Sequence, residues 1–173
     1  MQRKTPSESR TILTDLVLTG ETNHLNHMFG GELLARMDRA ASIAAQRHSH
    51  HPTVTASVNH VAFNHSIKLG SVVTVEASIS RAFSTSMEVF IDVWVENRVN
   101  GARSKANEAI YTFVAIDDQG KPTKVPEIIP ETELEKERYA GALRRRQLSL
   151  VLAGKMKPHD ATELKALFTE LEK

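Results

Sequence analysis

The spacing of apolar residues predicts a long helix near the start of the chain. Residues 30–47 are rich in Ala, Leu and Met and contain no Pro, a composition typical of helix. At about 100° per residue, the apolar side chains share one broad face: Leu33, Leu34, Met37, Ala40, Ala41, Ala44 and Ala45. Polar side chains fall on the opposite side: Glu32, Arg36, Arg39 and Gln46. Because the apolar arc is so wide, we expect a helix that is mostly surrounded by protein.

The apolar period then changes from that of a helix to that of a strand. Segments rich in Val, Ile, Thr and aromatic residues predict strands over residues 54–63, 72–79, 87–95 and 106–116, with residues 11–18 as a fifth candidate. The links between neighbouring strands are short, which favours antiparallel pairing. Phe90 and Trp94 interrupt an otherwise polar strand face. We expect another element or another subunit to cover part of that face.

Beyond Pro126 and Pro130 the pattern becomes helical again. Residues 131–154 predict a helix with acidic residues early and Arg144, Arg145 and Arg146 late, an order that suits the helix dipole. A second helix is predicted over residues 161–171. The fold class is therefore α+β, with a long helix packed on an antiparallel sheet of about five strands and a helical tail. We expect one domain over residues 1–125 and a helical extension over residues 126–173.

Composition narrows the class of protein further. The chain has 173 residues and a formal net charge of +1, so no overall field attracts nucleic acid or an anionic membrane. It has no cysteine, which excludes a disulfide scaffold and a thiol nucleophile. No run approaches the roughly 18 apolar residues that span a bilayer, and the start MQRKTPSESR lacks the apolar stretch of a secretory signal. We expect a cytoplasmic protein without nucleic-acid partners or membrane insertion.

Asp38 and the Gly30-Gly31 pair are the first candidates for chemistry. Asp38 lies at the border of the apolar arc, where a partly desolvated carboxylate suits a general base or a nucleophile. The alternative is a structural Asp paired with Arg36, Arg39 or a backbone donor. Gly30 and Gly31 open the helix, and its first amides are free donors for an oxyanion or a phosphate. A simple junction between turn and helix is the alternative for the glycines.

Other polar residues are weaker candidates for catalysis or metal binding. Asn23 and Asn26, in the loop before the glycines, are amides that could orient a carbonyl or a water, although loop Asn residues commonly form turns. His48, His50 and His51 lack a nearby acidic ligand, so we predict a solvated helix end and no metal site. His60 and His65 have no partner spacing. Ser57 and Ser86 lack a nucleophile-elbow context, and neither a phosphate-binding loop nor a dinucleotide fingerprint is present.

An ordered set of short motifs runs through about residues 10–125. It consists of Thr22-Asn23, Met28-Phe29-Gly30-Gly31, Leu33-Leu34, Met37-Asp38, Arg47-His48, Thr55-Ala56-Ser57-Val58, Val61-Ala62-Phe63, Ile67-Lys68-Leu69-Gly70, Thr85-Ser86-Met87-Glu88-Val89 and Thr112-Phe113-Val114-Ala115-Ile116. This set resembles the hot-dog-fold acyl-CoA thioesterases, specifically the cytosolic acyl-CoA hydrolases. It implies a sheet curled around the long helix.

The resemblance also implies an activity, which is hydrolysis of fatty acyl-CoA to free fatty acid and CoA. No cofactor is implied beyond the coenzyme A of the substrate. Asn23 and Asp38 match the family's site residues, which usually face each other across a dimer interface. We therefore expect a homodimer at minimum, and a trimer of dimers as the larger assembly. The Gly31 amide would hold the oxyanion. Candidate CoA-binding residues are Thr85, Ser86, Arg144, Arg145 and Arg146.

Some positions depart from the family pattern, and two other functions stay open. Residues that differ from those common in the family are Asn26, Asn59, Ser66, Ser71 and the pair Phe83-Ser84. A hot-dog hydratase or dehydratase would need an active-site His beside an acid, and His24 and His27 are poorly spaced for that. A non-catalytic acyl-CoA-binding or nucleotide-binding regulator would use the same scaffold without turnover. The intact Asn23 and Asp38 argue against a regulator.

Overall fold

The computed structural model describes residues 3–97 and 99–170. Two compact units are present, and they are separated in sequence between Ile129 and Pro130. The helices and strands of the first unit are β1 (Arg3–Lys4), α1 (Pro6–Ser9), β2 (Thr11–Leu16), a 3₁₀ turn (Thr19–Glu21), α2 (Gly30–Ser49), β3 (Thr53–Ala62), β4 (Val72–Ala82), β5 (Ser86–Glu96), β6 (Arg103–Ala115) and β7 (Glu127–Ile128). The first unit extends beyond residue 125 because β7 pairs in parallel with β1.

The sheet of the first unit has the five antiparallel strands that the sequence predicts. Their order is β2-β4-β5-β6-β3, so β2 and β3 are the edge strands. One face packs on α2 through buried side chains that alternate along the strands: Val73, Val75, Ala77, Val89, Ile91, Val93, Ala109, Tyr111 and Phe113. The α2 alanines at positions 40, 41, 44 and 45 are fully buried against it. This arrangement confirms the predicted hot-dog architecture.

The second unit consists of the two helices that the sequence predicts, α3 (Glu133–Leu152) and α4 (Thr162–Glu170), with a 3₁₀ turn (Pro158–Asp160) between them. Thr132 caps α3, because its Oγ1 accepts from the Glu135 N–H at 3.3 Å while Glu135 Oε2 accepts from the Thr132 N–H at 2.9 Å. The last turn of α3 contains no basic residue, so the predicted match of late arginines to the helix dipole is wrong. Residue 171, the predicted end of the second helix, lies outside the described residues.

Two cations of β6 partly cover the aromatic side chains on the other face of the sheet. The Arg103 guanidinium carbon lies 5.5 Å from the centre of the Trp94 ring, and Lys105 Nζ lies 5.9 Å from that of Phe90. These distances fall within the range of cation–π contacts. Part of the cover expected for Phe90 and Trp94 therefore comes from a neighbouring strand.

Arg36 is buried, although its position on α2 predicted a solvated side chain. Only 5% of the residue is exposed. Its Nη2 donates to the Leu16 carbonyl at 2.8 Å and to Glu21 Oε1 at 2.7 Å. The Leu18 backbone N–H and the Arg36 guanidinium both donate to Glu21, and they lower the pKa of its carboxyl. The segment from Leu16 to Glu21 therefore covers the Arg36 side chain. The helical pattern of α2 alone could not show this burial.

His48 is also buried, which contradicts the predicted solvated helix end at this residue. Its Nε2 lies 2.8 Å from the Pro126 carbonyl oxygen, so Nε2 donates the proton. In the described part of the chain Nδ1 has no partner. Burial lowers the pKa of His48, which is therefore neutral. Lys4 Nζ closes the helix end by donating to the Arg47 and His48 carbonyls at 3.0 and 2.9 Å.

The neutral His48 predicts a pH-dependent stability. The unfolded imidazole titrates near 6.5, whereas the native imidazole resists protonation. Below that pH the unfolded state binds more protons, so the free energy of unfolding decreases as the pH falls from about 7 to 5, by up to about 1.4 kcal/mol per pH unit. His48→Gln keeps a donor for Pro126 and removes the titration. Urea titrations at pH 7, 6 and 5 should give this variant a shallower pH dependence.

The exposed His51 supplies the control for this measurement. His51→Gln should keep the pH dependence of the native chain. If His48→Gln and the native chain lose stability in parallel as the pH falls, the neutral state of His48 is not the cause.

Candidate active site

The loop between the first 3₁₀ turn and α2 is folded around Asn23. The Asn23 N–H donates to the His27 carbonyl at 2.8 Å. Its side-chain Oδ1 accepts from the Leu25 and His27 backbone N–H groups at 2.9 and 3.1 Å. Because the loop itself holds Oδ1, the Nδ2 amide is the end of the Asn23 side chain that the loop leaves for another partner. This is an Asx-type turn that fixes the orientation of the side chain.

Asn26 explains one of the departures from the family pattern. Its φ of 56° lies in the left-handed region, where a Gly is common and Asn is the side chain tolerated best. The Leu69 N–H donates to the Asn26 carbonyl at 2.9 Å, and the Met28 N–H donates to the Ile67 carbonyl at 2.8 Å. Asn26 thus adopts the left-handed conformation that a Gly would adopt here, and the loop stays hydrogen-bonded to residues 67–69.

Gly30 and Gly31 begin α2 after Phe29, which provides no side-chain cap. The first amides of a helix have no acceptor within the helix. A Cβ at Gly31 would have no neighbour within 4 Å, and one at Gly30 would make only an ordinary 3.4 Å contact with Phe63 Cζ. Neither glycine has a positive φ. Packing within the subunit therefore does not require glycine at these two positions. The space next to the helix N-terminus is large enough for another group to reach the backbone amides.

A cavity of about 310 Å³ lies beside this helix end. It brings together the predicted site residues Asn23 and Gly30, with apolar and polar side chains in the same wall. The lining residues are Asn23, His27, Met28, Gly30, Leu33, Phe63, His65, Ser66, Ile67 and Asn107. Asp38 is not among them. Eight residues separate Asp38 from Gly30, which is about 12 Å along the helix axis.

Asp38 faces β3, and Thr55 holds its carboxylate. Thr55 Oγ1 donates to Asp38 Oδ1 at 2.8 Å. Arg36 instead pairs with Glu21 at 2.7 Å and with Asp15 at 3.5 Å. Within residues 3–97 and 99–170 no salt bridge reaches Asp38. The structural alternative of an Asp38–Arg36 pair is therefore excluded, and no basic side chain neutralises the carboxylate.

Tyr111 is a second neighbour of Asp38 that the sequence analysis missed. Its hydroxyl donates to the Leu34 carbonyl at 3.3 Å, one helical turn before Asp38. Burial, and then the negative charge of Asp38, raise the pKa of Tyr111 to about 12. The hydroxyl therefore remains protonated at neutral pH. The alternation of β6 places Tyr111 on the helix-facing side, but nothing in the sequence pairs it or Thr55 with Asp38.

The candidate CoA-binding residues are divided between the two units. Thr85 and Ser86 lie at the turn between β4 and β5, and Ser86 is buried. Arg144, Arg145 and Arg146 lie within α3, where Arg145 donates to the Arg138 carbonyl at 3.0 Å. Their contact with CoA stays a prediction.

In the described part of the chain, no group of three or more His, Cys, Asp or Glu residues is arranged to hold a metal ion. None of the helices described here has the length and apolarity needed to cross a bilayer.

Comparison with known proteins identifies the family. The profile of the Thioesterase superfamily matches residues 25–102. The uncharacterized acyl-CoA thioester hydrolase YkhA of Bacillus subtilis is 41% identical over 128 residues, which are 74% of each chain. An acyl-CoA hydrolase of Staphylococcus aureus, solved with butyryl-CoA, CoA and CoA disulfide, is 34% identical with a TM-score of 0.84 over 99% of both chains. An apo hexameric acyl-CoA thioesterase is 38% identical with a TM-score of 0.85, over 88% of this chain and 98% of that one. The chain belongs to the acyl-CoA thioesterase family of the hot-dog fold.

Proposed function

We propose that this chain hydrolyses the thioester of fatty acyl-CoA to a free fatty acid and CoA. The observation that carries the proposal is the state of Asp38. It is a partly buried carboxylate held by Thr55, without a neutralising cation in the described residues, on the helix whose N-terminus opens beside Asn23. The carboxylate supplies a base and the free helix amides supply an oxyanion site, the two groups that acyl transfer needs.

The reaction uses these groups as follows. Thr55 holds Oδ1 of Asp38, and no described residue is hydrogen-bonded to Oδ2. Asp38 removes a proton from water as general base, or attacks the carbonyl carbon as nucleophile. The Gly31 N–H stabilises the oxyanion, and Asn23 Nδ2 orients the water or polarises the carbonyl. In the general-base route, the water oxygen adds to the carbonyl carbon, the C–S bond breaks, and the CoA thiolate takes the proton held by Asp38. In the nucleophilic route, the C–S bond breaks to leave an acyl anhydride on Asp38, the thiolate takes a proton from solvent, and water then hydrolyses the anhydride to the free acid.

The structure favours this function over the two alternatives. A hydratase needs a His beside an acid, but the cavity that contains His27 and His65 has no Asp or Glu in its wall. Asn23 and Asp38, which the proposed hydrolysis uses, are both present in the chain, and this argues against a regulator without turnover.

We further propose that the complete site needs two subunits. Asn23 lines the cavity, whereas Asp38 lies about two turns away beside β3. β3 is an edge strand of ten residues on which Val54 and Val58 are 46% and 47% exposed. A long apolar edge is a template for pairing with another chain. Pairing of β3 with that of a second copy would cover these residues and bring Asp38 to the partner's loop.

The larger assembly and the cellular location remain proposals. Hexameric relatives support a trimer of such dimers. CoA phosphates would be bound by basic side chains, with Arg144, Arg145 and Arg146 as candidates, and Thr85 and Ser86 as further contacts. A cytoplasmic location is proposed from the sequence.

The first test of the site is Asp38→Asn, which keeps the shape of the side chain and removes the base. We expect kcat for release of the CoA thiol to fall on the order of 100-fold or more, with normal folding. Thiol release should be measured on acyl-CoAs from acetyl to palmitoyl. Asp118→Asn, at an exposed Asp, is the matched control and should retain full activity. Full turnover by a folded Asp38→Asn variant would remove Asp38 from the mechanism.

Gly31→Ala tests the oxyanion site separately from folding. Ala is favoured over Gly in a helix by about 1 kcal/mol, so we expect unchanged or higher stability. The added methyl lies at the open helix end, and we expect kcat to fall on the order of tenfold or more because it obstructs the substrate. Gly20→Ala, which also has open space around its Cβ, serves as the control. Unchanged kcat in Gly31→Ala would place the oxyanion elsewhere.

Mixing two inactive variants tests the shared site. Refolding Asn23→Ala together with Asp38→Ala forms heterodimers in which one site has both native residues and the other has neither. We expect each parent to be inactive and the mixture to regain up to about a quarter of native activity, since half of the dimers are heterodimers with one intact site. If subunit exchange is demonstrated and the mixture stays inactive, the site lies within one subunit.

A further inference from the structure

Asn107 is a polar residue in an apolar layer. It lies on β6 opposite Val93 of β5, on the sheet face that packs against α2. Only 1% of the residue is exposed. Its neighbours on this face of β6, Ala109 and Tyr111, are buried as well. An apolar side chain would suit this position better, so the amide needs an explanation.

One half of the amide has a structural role. Asn107 Oδ1 accepts from the Asn64 backbone N–H at 2.9 Å and thereby holds the chain that follows β3. This bond identifies the oxygen end of the side chain and leaves the nitrogen end for a different partner. Nδ2 is buried and has no hydrogen-bond partner among the residues that the structure describes. A buried donor left without an acceptor costs about 1–3 kcal/mol.

Asn107 is one of the residues that line the cavity beside the helix N-terminus, together with Asn23 and Gly30. A ligand bound in that cavity is therefore a candidate acceptor for the amide. We propose that Asn107 Nδ2 donates a hydrogen bond to an oxygen of the bound acyl-CoA, close to the thioester. This inference rests on the proposed thioesterase function. It makes Asn107 a substrate-binding residue whose amide nitrogen finds its acceptor in the ligand.

The position and lining of the cavity indicate which part of the ligand it holds. It lies at the helix N-terminus that supplies the proposed oxyanion site, so the groups in it are those near the thioester. His27, His65 and Ser66 add further polar side chains to the wall. The acceptor is either a pantetheine amide carbonyl or an oxygen substituent on the acyl group, such as a 3-hydroxyl.

Two variants separate the donor from the structural role of Asn107. Asn107→Asp keeps an oxygen that can accept from Asn64 and loses the amide donor. Asn107→Leu removes both and fills the space with an apolar side chain of similar size. Asn100→Asp is the matched control, because Asn100 Oδ1 also accepts from a backbone N–H, that of Ala102 at 3.0 Å, in an exposed loop. Circular dichroism and thermal unfolding verify that each variant is folded.

The readouts are kcat/KM for butyryl-CoA and 3-hydroxybutyryl-CoA, and the affinity for CoA from calorimetry. We expect both Asn107 variants to raise KM about tenfold or more for at least one ester, with Asn100→Asp unchanged. Equal losses for both esters and for CoA identify the pantetheine carbonyl as the acceptor. A loss confined to the 3-hydroxy ester identifies the acyl oxygen.

Two results would overturn different proposals. If a folded Asn107 variant retains native kcat/KM for both esters and native affinity for CoA, the inference about Asn107 is wrong. If the native chain releases no thiol from any acyl-CoA, the proposed function is wrong. In that case the esters remain intact, and their binding to native and variant chains, measured by calorimetry, still tests the hydrogen bond from Asn107.

Discussion

Close packing between α2 and the sheet is the constraint on which the rest of the structure depends. Small side chains let the helix backbone approach β4, β5 and β6, and Ala40, Ala44 and their neighbours are fully buried as a result. Dense packing of this kind fixes both the position of α2 on the sheet and the rotation of the helix about its own axis. With the helix fixed, its N-terminus opens at the Asn23 loop and Asp38 faces Thr55 on the edge strand.

The loop before α2 is held from several sides, which is what a site with defined geometry requires. The Phe29 N–H donates to the Glu21 carbonyl at 2.9 Å, and the Met28 N–H donates to Ile67 at 2.8 Å. Glu21 is itself bound by the buried Arg36. Arg36 therefore connects the body of α2 to the segment that leads into the loop. Its burial has a positioning role that a view of α2 as an isolated amphipathic helix would not reveal.

The subunit by itself has the parts of a hydrolytic site without their assembly. Asn23 and the open helix end share a cavity, and Asp38 with Thr55 lies beside an exposed edge strand. An edge strand is normally protected by charge, by Pro or by pairing with another chain. Val54 and Val58 are exposed on β3, and in the proposed dimer a second copy would both cover this edge and complete the site.

The sequence by itself determined the element types, the antiparallel sheet and the long helix packed on it, and through the family resemblance it proposed Asn23 and Asp38 as site residues. Periodicity reports which face of an element is apolar, and short links report which strands are neighbours. Tertiary structure decided the burial of Arg36 and His48, the Thr55–Asp38 bond and the unpaired amide of Asn107. Each depends on a partner distant in sequence: Pro126 is 78 residues from His48, and Asn64 is 43 residues from Asn107. Local patterns cannot show which segment will cover a side chain, because only the folded chain brings the two together.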